Sequence, residues 1–342
     1  MNRPAQELRQ DEDTPVSTTG LSVVDAPDAP GVYPGIPDEL YHQGPGISSS
    51  QLKFLAAKTP AHYYAKYLDP QRETPQTKPT LDLGKAFHCR ILEPHRFVND
   101  FAFQIDPREY PNALVTMDDL RRQASLWDVK LPRLKSEAEA ALAAAAEARG
   151  EPIVIWSHLL ADFERRNAGR IVLPLEMEDQ LIAMQQALFA HRTASRAFHS
   201  GVAEASVYWE DPDSGLLLKC RPDYWRHTQM LTDLKSTRSA SKWAFSKDIF
   251  EYGYHVSAAM YLDGIKHETG EDMEDRFLWV AQEKEPPYAV NTFVPTPESI
   301  AEGRRVYKAA ALQLAECLAT NVWPGYPEEV EMIDLPAYAY RT

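Results

Sequence analysis

Apolar and polar positions alternate with a period of two over residues 203–209. They pause at a turn over 211–215 and resume over 216–221, the pattern of a hairpin. The chain runs straight on into Arg221-Pro-Asp-Tyr-Trp-Arg-His-Thr-Gln-Met-Leu-Thr-Asp-Leu-Lys235, whose second half reads as a strand through Met230, Leu231 and Leu234. Short strands are also expected at 102–106, 153–156, 276–282 and 289–294. Elsewhere the pattern is helical: 51–57, 61–67, 81–92, 133–149, 175–192, 239–252, 255–265 and 297–318. Ser48 to Ser50 offer N-caps and Pro60 a first helical position. In the 81–92 segment Leu83, Ala86, Phe87 and Ile91 share one face, with His88 beside it. Residues 31–46 read as an ordered loop with aromatic anchors, and 70–79 as a proline-rich linker. Residues 1–30, polar and without periodicity, read as a disordered acidic tail. The succession predicts an α/β (α+β) fold, a mixed central sheet flanked by helices, in one domain over 31–342.

Composition narrows the class. The 342 residues carry 36 basic and 50 acidic side chains, a net charge of −14, which argues against a protein held on nucleic acid by bulk positive charge. A local basic groove remains compatible with that balance. Cys89, Cys220 and Cys317 are far apart and show no C-x-x-C spacing, so no zinc ribbon or iron–sulfur cluster is readable and free thiols in a reducing compartment are expected. With no apolar run of membrane-spanning length and no signal peptide, a cytoplasmic protein is expected, bacterial or from a phage-infected cell.

The chemistry concentrates in 223–235. Side chains two apart on a strand share a face, so Asp233 and Lys235 project together. A turn over 224–229 would fold Asp223 back beside Asp233. Two carboxylates and an ammonium at one point suit a divalent cation and an activated water, since hard cations take oxygen ligands and make bound water nucleophilic. Asp223 and Asp233 are the expected ligands, Lys235 the cation that orients the water, Glu204 a further carboxylate from the preceding strand, and His88 a ligand from its helix. Taken singly, each has an ordinary alternative: a solvated strand edge for Asp-x-Lys, a turn-former for Asp223, a surface acid for Glu204, a hydrogen-bonded helix histidine for His88. The set in order is far more specific. Lys53, Lys58, Arg90, Lys219, Arg221, Arg238, Lys242 and Lys247 cluster around these motifs and are expected to form a phosphate-binding rim. His62, Tyr63 and Tyr64 are candidates to stack at a duplex end. Nothing resembles a helix-turn-helix or zinc finger, so base-specific reading is not indicated.

At this point the chain resembles a known family. Ile47-Ser-Ser-Ser-Gln-Leu-Lys53, Thr59-Pro-Ala-His-Tyr-Tyr64, Leu83-Gly-Lys-Ala-Phe-His88 with Leu92-Glu-Pro94, Gly215-Leu-Leu-Leu-Lys219, Arg221-Pro-Asp223, Asp233-Leu-Lys235-Ser-Thr237, Tyr252-Gly-Tyr-His255, Ala258-Ala-Met-Tyr-Leu-Asp-Gly264 and Glu283-Lys-Glu-Pro-Pro-Tyr288 occur in order over most of the chain. Together they are similar to the exonuclease VIII (RecE)-like nuclease domain of phages and prophages, in the PD-(D/E)-x-K superfamily. The resemblance implies a restriction-endonuclease-like core and a metal held by His88, Asp223, Asp233 and the main-chain carbonyl of Leu234. It also implies catalytic roles for Asp223, Asp233, Lys235, Glu204 and Tyr261. The metal would be Mg2+, with Mn2+ as a substitute. The implied activity is degradation of one strand of linear duplex DNA from its ends, 5′ to 3′, alongside a single-strand annealing protein in recombination. A homo-oligomer, commonly a tetramer, is implied as well. One position departs from the pattern: relatives carry Gln-x-x-x-Tyr on the helix after the Asp-x-Lys strand, and here Ser257, which lacks the amide's paired donor and acceptor, precedes Tyr261, so a contact of that residue to a phosphate or to the attacking water is expected to be lost or replaced by a bridging water. A catalytically weakened DNA-binding or recombination scaffold, and a site-specific endonuclease of the same superfamily, stay open as alternatives.

Overall fold

The computed structural model describes residues 26–72 and 79–335. Residues 1–25 of the expected tail and 73–78 of the expected linker lie outside the described residues, as do 336–342.

The amino-terminal part contributes β1 (Gly31–Tyr33), α1 (Asp38–Gln43), β2 (Ile47–Ser48), α2 (Ser49–Ala57) and α3 (Pro60–Tyr63), the last running into a π-turn over Tyr64–Leu68. The 31–46 segment expected as a loop thus holds a strand and a helix. There follow α4 (Pro79–Leu92), α5 (Pro94–Asp100) and β3 (Phe101–Phe103). Next come α6 (Met117–Trp127), α7 (Lys135–Arg149) and α8 (Trp156–Arg166), then β4 (Ile171–Leu173), α9 (Glu176–Ala190) and α10 (Ala194–Ala197). The strand expected at 153–156 is reduced to an isolated bridge between Leu114 and Ile155, because α8 begins at Trp156. Helices α6 and α7 close a small core of their own around Leu120, Trp127 and Leu142.

The carboxy-terminal half builds the central sheets from β5 (Val202–Ala203), β6 (Ser206–Glu210), β7 (Leu217–Cys220), β8 (Tyr224–Trp225), β9 (Leu231–Thr237), β10 (Phe277–Glu283) and β11 (Val290–Phe293). The helices of this half are α11 (Lys242–Glu251), α12 (Tyr254–Thr269) and α13 (Pro297–Thr320). One sheet has the order β1-β6-β7-β2, the other β11-β10-β9-β8-β5. The sheets are mixed: β9 and β10 run parallel, joined through α11 and α12, while the other pairs of that sheet are antiparallel. A parallel pair needs such a long crossover. As a central strand covered on both faces, β9 buries Leu231 against the α12–α13 side and Leu234 against the α4–α9 side. The mixed sheet flanked by helices is the architecture the sequence predicts.

One feature of the hairpin differs from the sequence reading. The alternation over 203–209 is two strands in two sheets: β5 pairs with β8, and β6 with β7. The break falls at Glu204, which sits in left-handed backbone at φ 51°. Its N–H donates to the Asp223 carbonyl at 3.1 Å across the corner. On the partner strand Pro222, which has no N–H to give a ladder, marks the same bend. The hairpin turns here from one sheet to the other and leaves Glu204 and Asp223 side by side.

Candidate metal centre and hydrolytic site

Asp223 stands where β8 peels away from β9. Pairing ends at Tyr224 opposite Thr232, and the Asp223 carboxylate takes the next free donor, the N–H of Leu234, at 2.6 Å. That bond fixes the acid against the strand carrying the Asp-x-Lys pair. On β9, Asp233 and Lys235 project on one face as the spacing requires, Nζ to Oδ2 2.6 Å. Lys235 also reaches Asp223 at 3.7 Å, so its ammonium stands between the two aspartates. Helix α4 crosses the end of β9 with Gly84 beside Ser236. One turn on, the His88 ring comes 3.8 Å from Asp223. His88, Glu204 and Asp223 offer ligand atoms all within 4.8 Å of one another. Asp233 adjoins that trio, linked to Asp223 through the Lys235 ammonium.

The electrostatics are those of an acidic cluster out of water. Burial holds Asp223 and Glu204 above the usual carboxylate range, Glu204 well above it with Asp223 adding repulsion. Burial lifts Asp233 to about 6 despite Lys235, and Asp223 adds to the rise. Burial and the Lys235 charge push His88 down to about 4, so its ring is neutral and free to ligate. Burial alone would lower Lys235, but the two aspartates outweigh it and keep it charged, so it acts as a cation and not as a base. Tyr261, on α12, is held well above its normal range by burial, with Asp233 and Asp223 adding to it. The carboxylates and the Leu234 carbonyl are hard oxygen donors that, with a neutral imidazole, fit a divalent cation, and a cation would offset the repulsion among the acids.

A pH dependence follows. Asp233 ionises lower in the unfolded chain than its folded value of about 6, so its charged form costs metal-free stability fully above pH 6 and not at all below the unfolded value. A cation needs that charged form, so protons compete with it as pH falls through 6. Affinity for Mg2+ or Mn2+ should drop by roughly tenfold per pH unit for each carboxylate that holds a proton. Thermal-shift titrations at pH 5.5 and 7.5 check this, and equal affinity at both would contradict it.

Of the expected phosphate rim, the structure leaves part exposed and corrects the rest. Arg238 and Lys242 are exposed just beyond β9. Lys247 is exposed with its ammonium 3.5 Å over the Trp243 ring. Arg221 is buried instead: it bonds Ser206 Oγ, Asp38 and the Ile36 carbonyl and lies 4.0 Å over the Tyr41 ring. Lys219 is buried too, donating to the Tyr41 and Gly44 carbonyls at the end of α1 at 2.6 and 2.8 Å. Both fasten the β1–α1 segment to the sheet and are not available to DNA. Tyr63 is a core ring stacked on Trp323, not a wedge. His62 is exposed, 2.7 Å from Thr59 Oγ1, and Arg90 bonds Gln185 at 2.8 Å. Lys53 points to the hydrolytic site, donating to Ser257 Oγ at 3.0 Å and the Tyr252 carbonyl at 3.1 Å. Two neighbours of the site had no assigned role in the sequence reading: Tyr254, whose ring lies 5.3 Å from the Lys235 ammonium, and Ser49, which accepts from Ser257 Oγ at 3.2 Å. Both sit in motifs recognisable in the sequence, Ser-Ser-Ser and Tyr-Gly-Tyr-His.

The fold and this corner of carboxylates and lysine define the PD-(D/E)-x-K class of nuclease fold. The chain belongs to the family described as PDDEXK-like domain of unknown function (DUF3799), whose pattern matches residues 157–336, more than half of the chain. That span includes Glu204, Asp223, Asp233, Lys235, Ser257 and Tyr261 and leaves out Lys53 and His88. No curated protein matches the sequence. Among solved structures, the chain is similar to a "putative exonuclease" from Eubacterium rectale, with a TM-score of 0.52 and 13% identity over 88% of this chain and 95% of that one. At that identity the likeness speaks to the fold. Among the described residues no helix is long and apolar enough to cross a membrane.

Proposed function

We propose that this chain is a metal-dependent exodeoxyribonuclease of the RecE-like type, which removes one strand of linear duplex DNA from its ends, 5′ to 3′, to expose single strand for recombination. The observation that carries the reading is the convergence of His88, Glu204 and Asp223 within 4.8 Å, beside Asp233 and Lys235 on one strand. His88, Glu204, Asp223 and Asp233, with the Leu234 carbonyl, would hold Mg2+, which supplies Lewis acidity and an acidified water. Lys235, charged and fixed by both aspartates, orients the attacking water and balances the charge that develops on the phosphoryl oxygens. Asp223, held by the Leu234 N–H, keeps the cluster in register with β9. The Tyr261 hydroxyl stays protonated and serves as a donor near the aspartates. On this reading the domain spans 31–342, works in the cytoplasm as a homo-oligomer such as a tetramer, and hands its product to a single-strand annealing protein.

The test compares linear with closed circular duplex, with and without Mg2+. Mg2+-dependent loss of the linear form alone is expected, with 5′-end label released first. Discrete fragments from closed circles would replace the reading with an endonuclease, and no cleavage of either form would leave a DNA-binding scaffold.

A further inference from the structure

We infer that Lys53 is a substrate-binding residue of this site, whose ammonium takes a non-bridging oxygen of a nucleic-acid backbone phosphate beside Lys235. The inference rests on the nuclease reading and adds to it a residue outside the span matched by the family.

The geometry is unusual for a lysine that only ties two helices together. Lys53 lies on α2, and its stem passes over Gly253, the residue before α12. Gly253 has φ +63°, and a Cβ there would come 2.6 Å from Lys53 Cδ, so a larger residue would be strained in its backbone and would displace the lysine stem. The ammonium ends between two neutral acceptors, Ser257 Oγ and the Tyr252 carbonyl. Ser257 in turn donates to Ser49 Oγ, so its hydroxyl is oriented to accept from the lysine. An ammonium has three donors, and among the described residues these two acceptors are its only hydrogen-bond partners. No carboxylate lies within ion-pair distance of it among those residues. Its electrostatic neighbours are Lys235, which repels it, and Asp233, which is already paired with Lys235 at 2.6 Å.

A half-buried ammonium that faces a second ammonium and lacks an anion is a poor arrangement for the free protein. Burial and the Lys235 charge together lower Lys53 to about 8, in keeping with that. A phosphodiester oxygen bound at Lys53 supplies the negative charge that this ammonium lacks, whereas Lys235 already has both aspartates. The short Ser257 side chain is what makes room.

Lys53→Gln and Lys53→Arg in the full chain test this. Binding of a fluorescein-labelled DNA duplex in EDTA, followed by anisotropy over a salt series, should weaken by about tenfold in Lys53→Gln. The slope of log affinity against log salt should fall by roughly one, as for loss of one phosphate contact. In Mg2+, KM should rise by about tenfold with kcat changed far less, since the contact exists before the transition state. Lys53→Arg should restore both to within about threefold. A purely structural role predicts instead a lowered melting temperature in both variants with an unchanged salt slope, and that result, or wild-type KM and slope in Lys53→Gln, overturns the proposal. A measurement on the unmodified protein needs no variant to fold: added duplex should protect Lys53 from acetylation, read by mass spectrometry, and absence of protection overturns the proposal as well. If wild-type protein neither binds nor cleaves DNA, the nuclease reading fails first, an outcome distinct from wild-type cleavage that does not depend on Lys53.

Discussion

Asp233→Asn should abolish Mg2+-dependent degradation of linear duplex, a loss of about 10³-fold or more, while the protein stays folded. Asparagine keeps the shape and one acceptor but removes the charge that a hard cation requires. If the cation supplies several kcal/mol of transition-state stabilisation, losing its proper seat costs on the order of three powers of ten in rate. Stability should hardly move, because two effects oppose each other. The substitution gives up the 2.6 Å ion pair with Lys235. It also removes a carboxylate that burial and Asp223 already push up to about 6, that is, toward its neutral form. Lys235 keeps Asp223 at 3.7 Å, so the ammonium is not stranded. The check is a nuclease assay paired with a thermal melt. Undiminished cleavage would remove Asp233 from the site, whereas a collapse of the melt would show that the ion pair holds the fold.

The segment carrying this prediction was the most legible part of the chain. A period of two, three apolar residues and an Asp-x-Lys spacing are enough to place two side chains on one face of a strand, and they do so at 2.6 Å. The fold-back of Asp223 was legible for a similar local reason, a short polar turn between strands that pair antiparallel. Glu204 was readable as an acid before the hairpin but not as the residue at which the hairpin changes sheet. A left-handed residue is announced in sequence by glycine or asparagine, and a glutamate there gives no such signal. The cations were the least legible. Lys219 and Arg221 look in sequence like Lys53 and Lys242, yet two are buried under Tyr41, one faces the acidic cluster and one meets solvent. Which fate a lysine meets depends on what packs over it from distant segments, here α1 and α12, and no local pattern encodes that. His88 shows the opposite limit: its helix was evident from Leu83, Ala86, Phe87 and Ile91, but its reach to Asp223 depends on how α4 crosses β9.

Gly303→Ala should be among the most damaging single-atom-scale changes in the chain, although it lies outside the site. Helix α13 packs against α12 so closely at this point that a Cβ on residue 303 would stand 2.2 Å from the His255 carbonyl oxygen and 2.6 Å from its carbon. These are backbone atoms of a helix, which cannot turn aside as a flexible side chain would, so the two helices must part by roughly an ångström. Around them Ile300, Tyr307, Ala310 and Ala311 lose contact with the main core. Overpacking of this kind costs about 3 kcal/mol, offset by up to about 1 kcal/mol of improved helix propensity. For a chain of this length a net loss of that order lowers the melting temperature by only about 3–4 °C. The larger effect is expected on hydrolysis. His255 is two residues from Ser257 and six from Tyr261, on the helix that brings both to the acidic cluster, and a displacement near an ångström can cost about a hundredfold in rate. Activity measured well below the transition should therefore fall by roughly 10- to 100-fold. Gly325→Ala, at a glycine whose Cβ would meet open space, should change neither quantity. If Gly303→Ala melts and cleaves like wild type, the close α12–α13 contact is not what positions that side of the site.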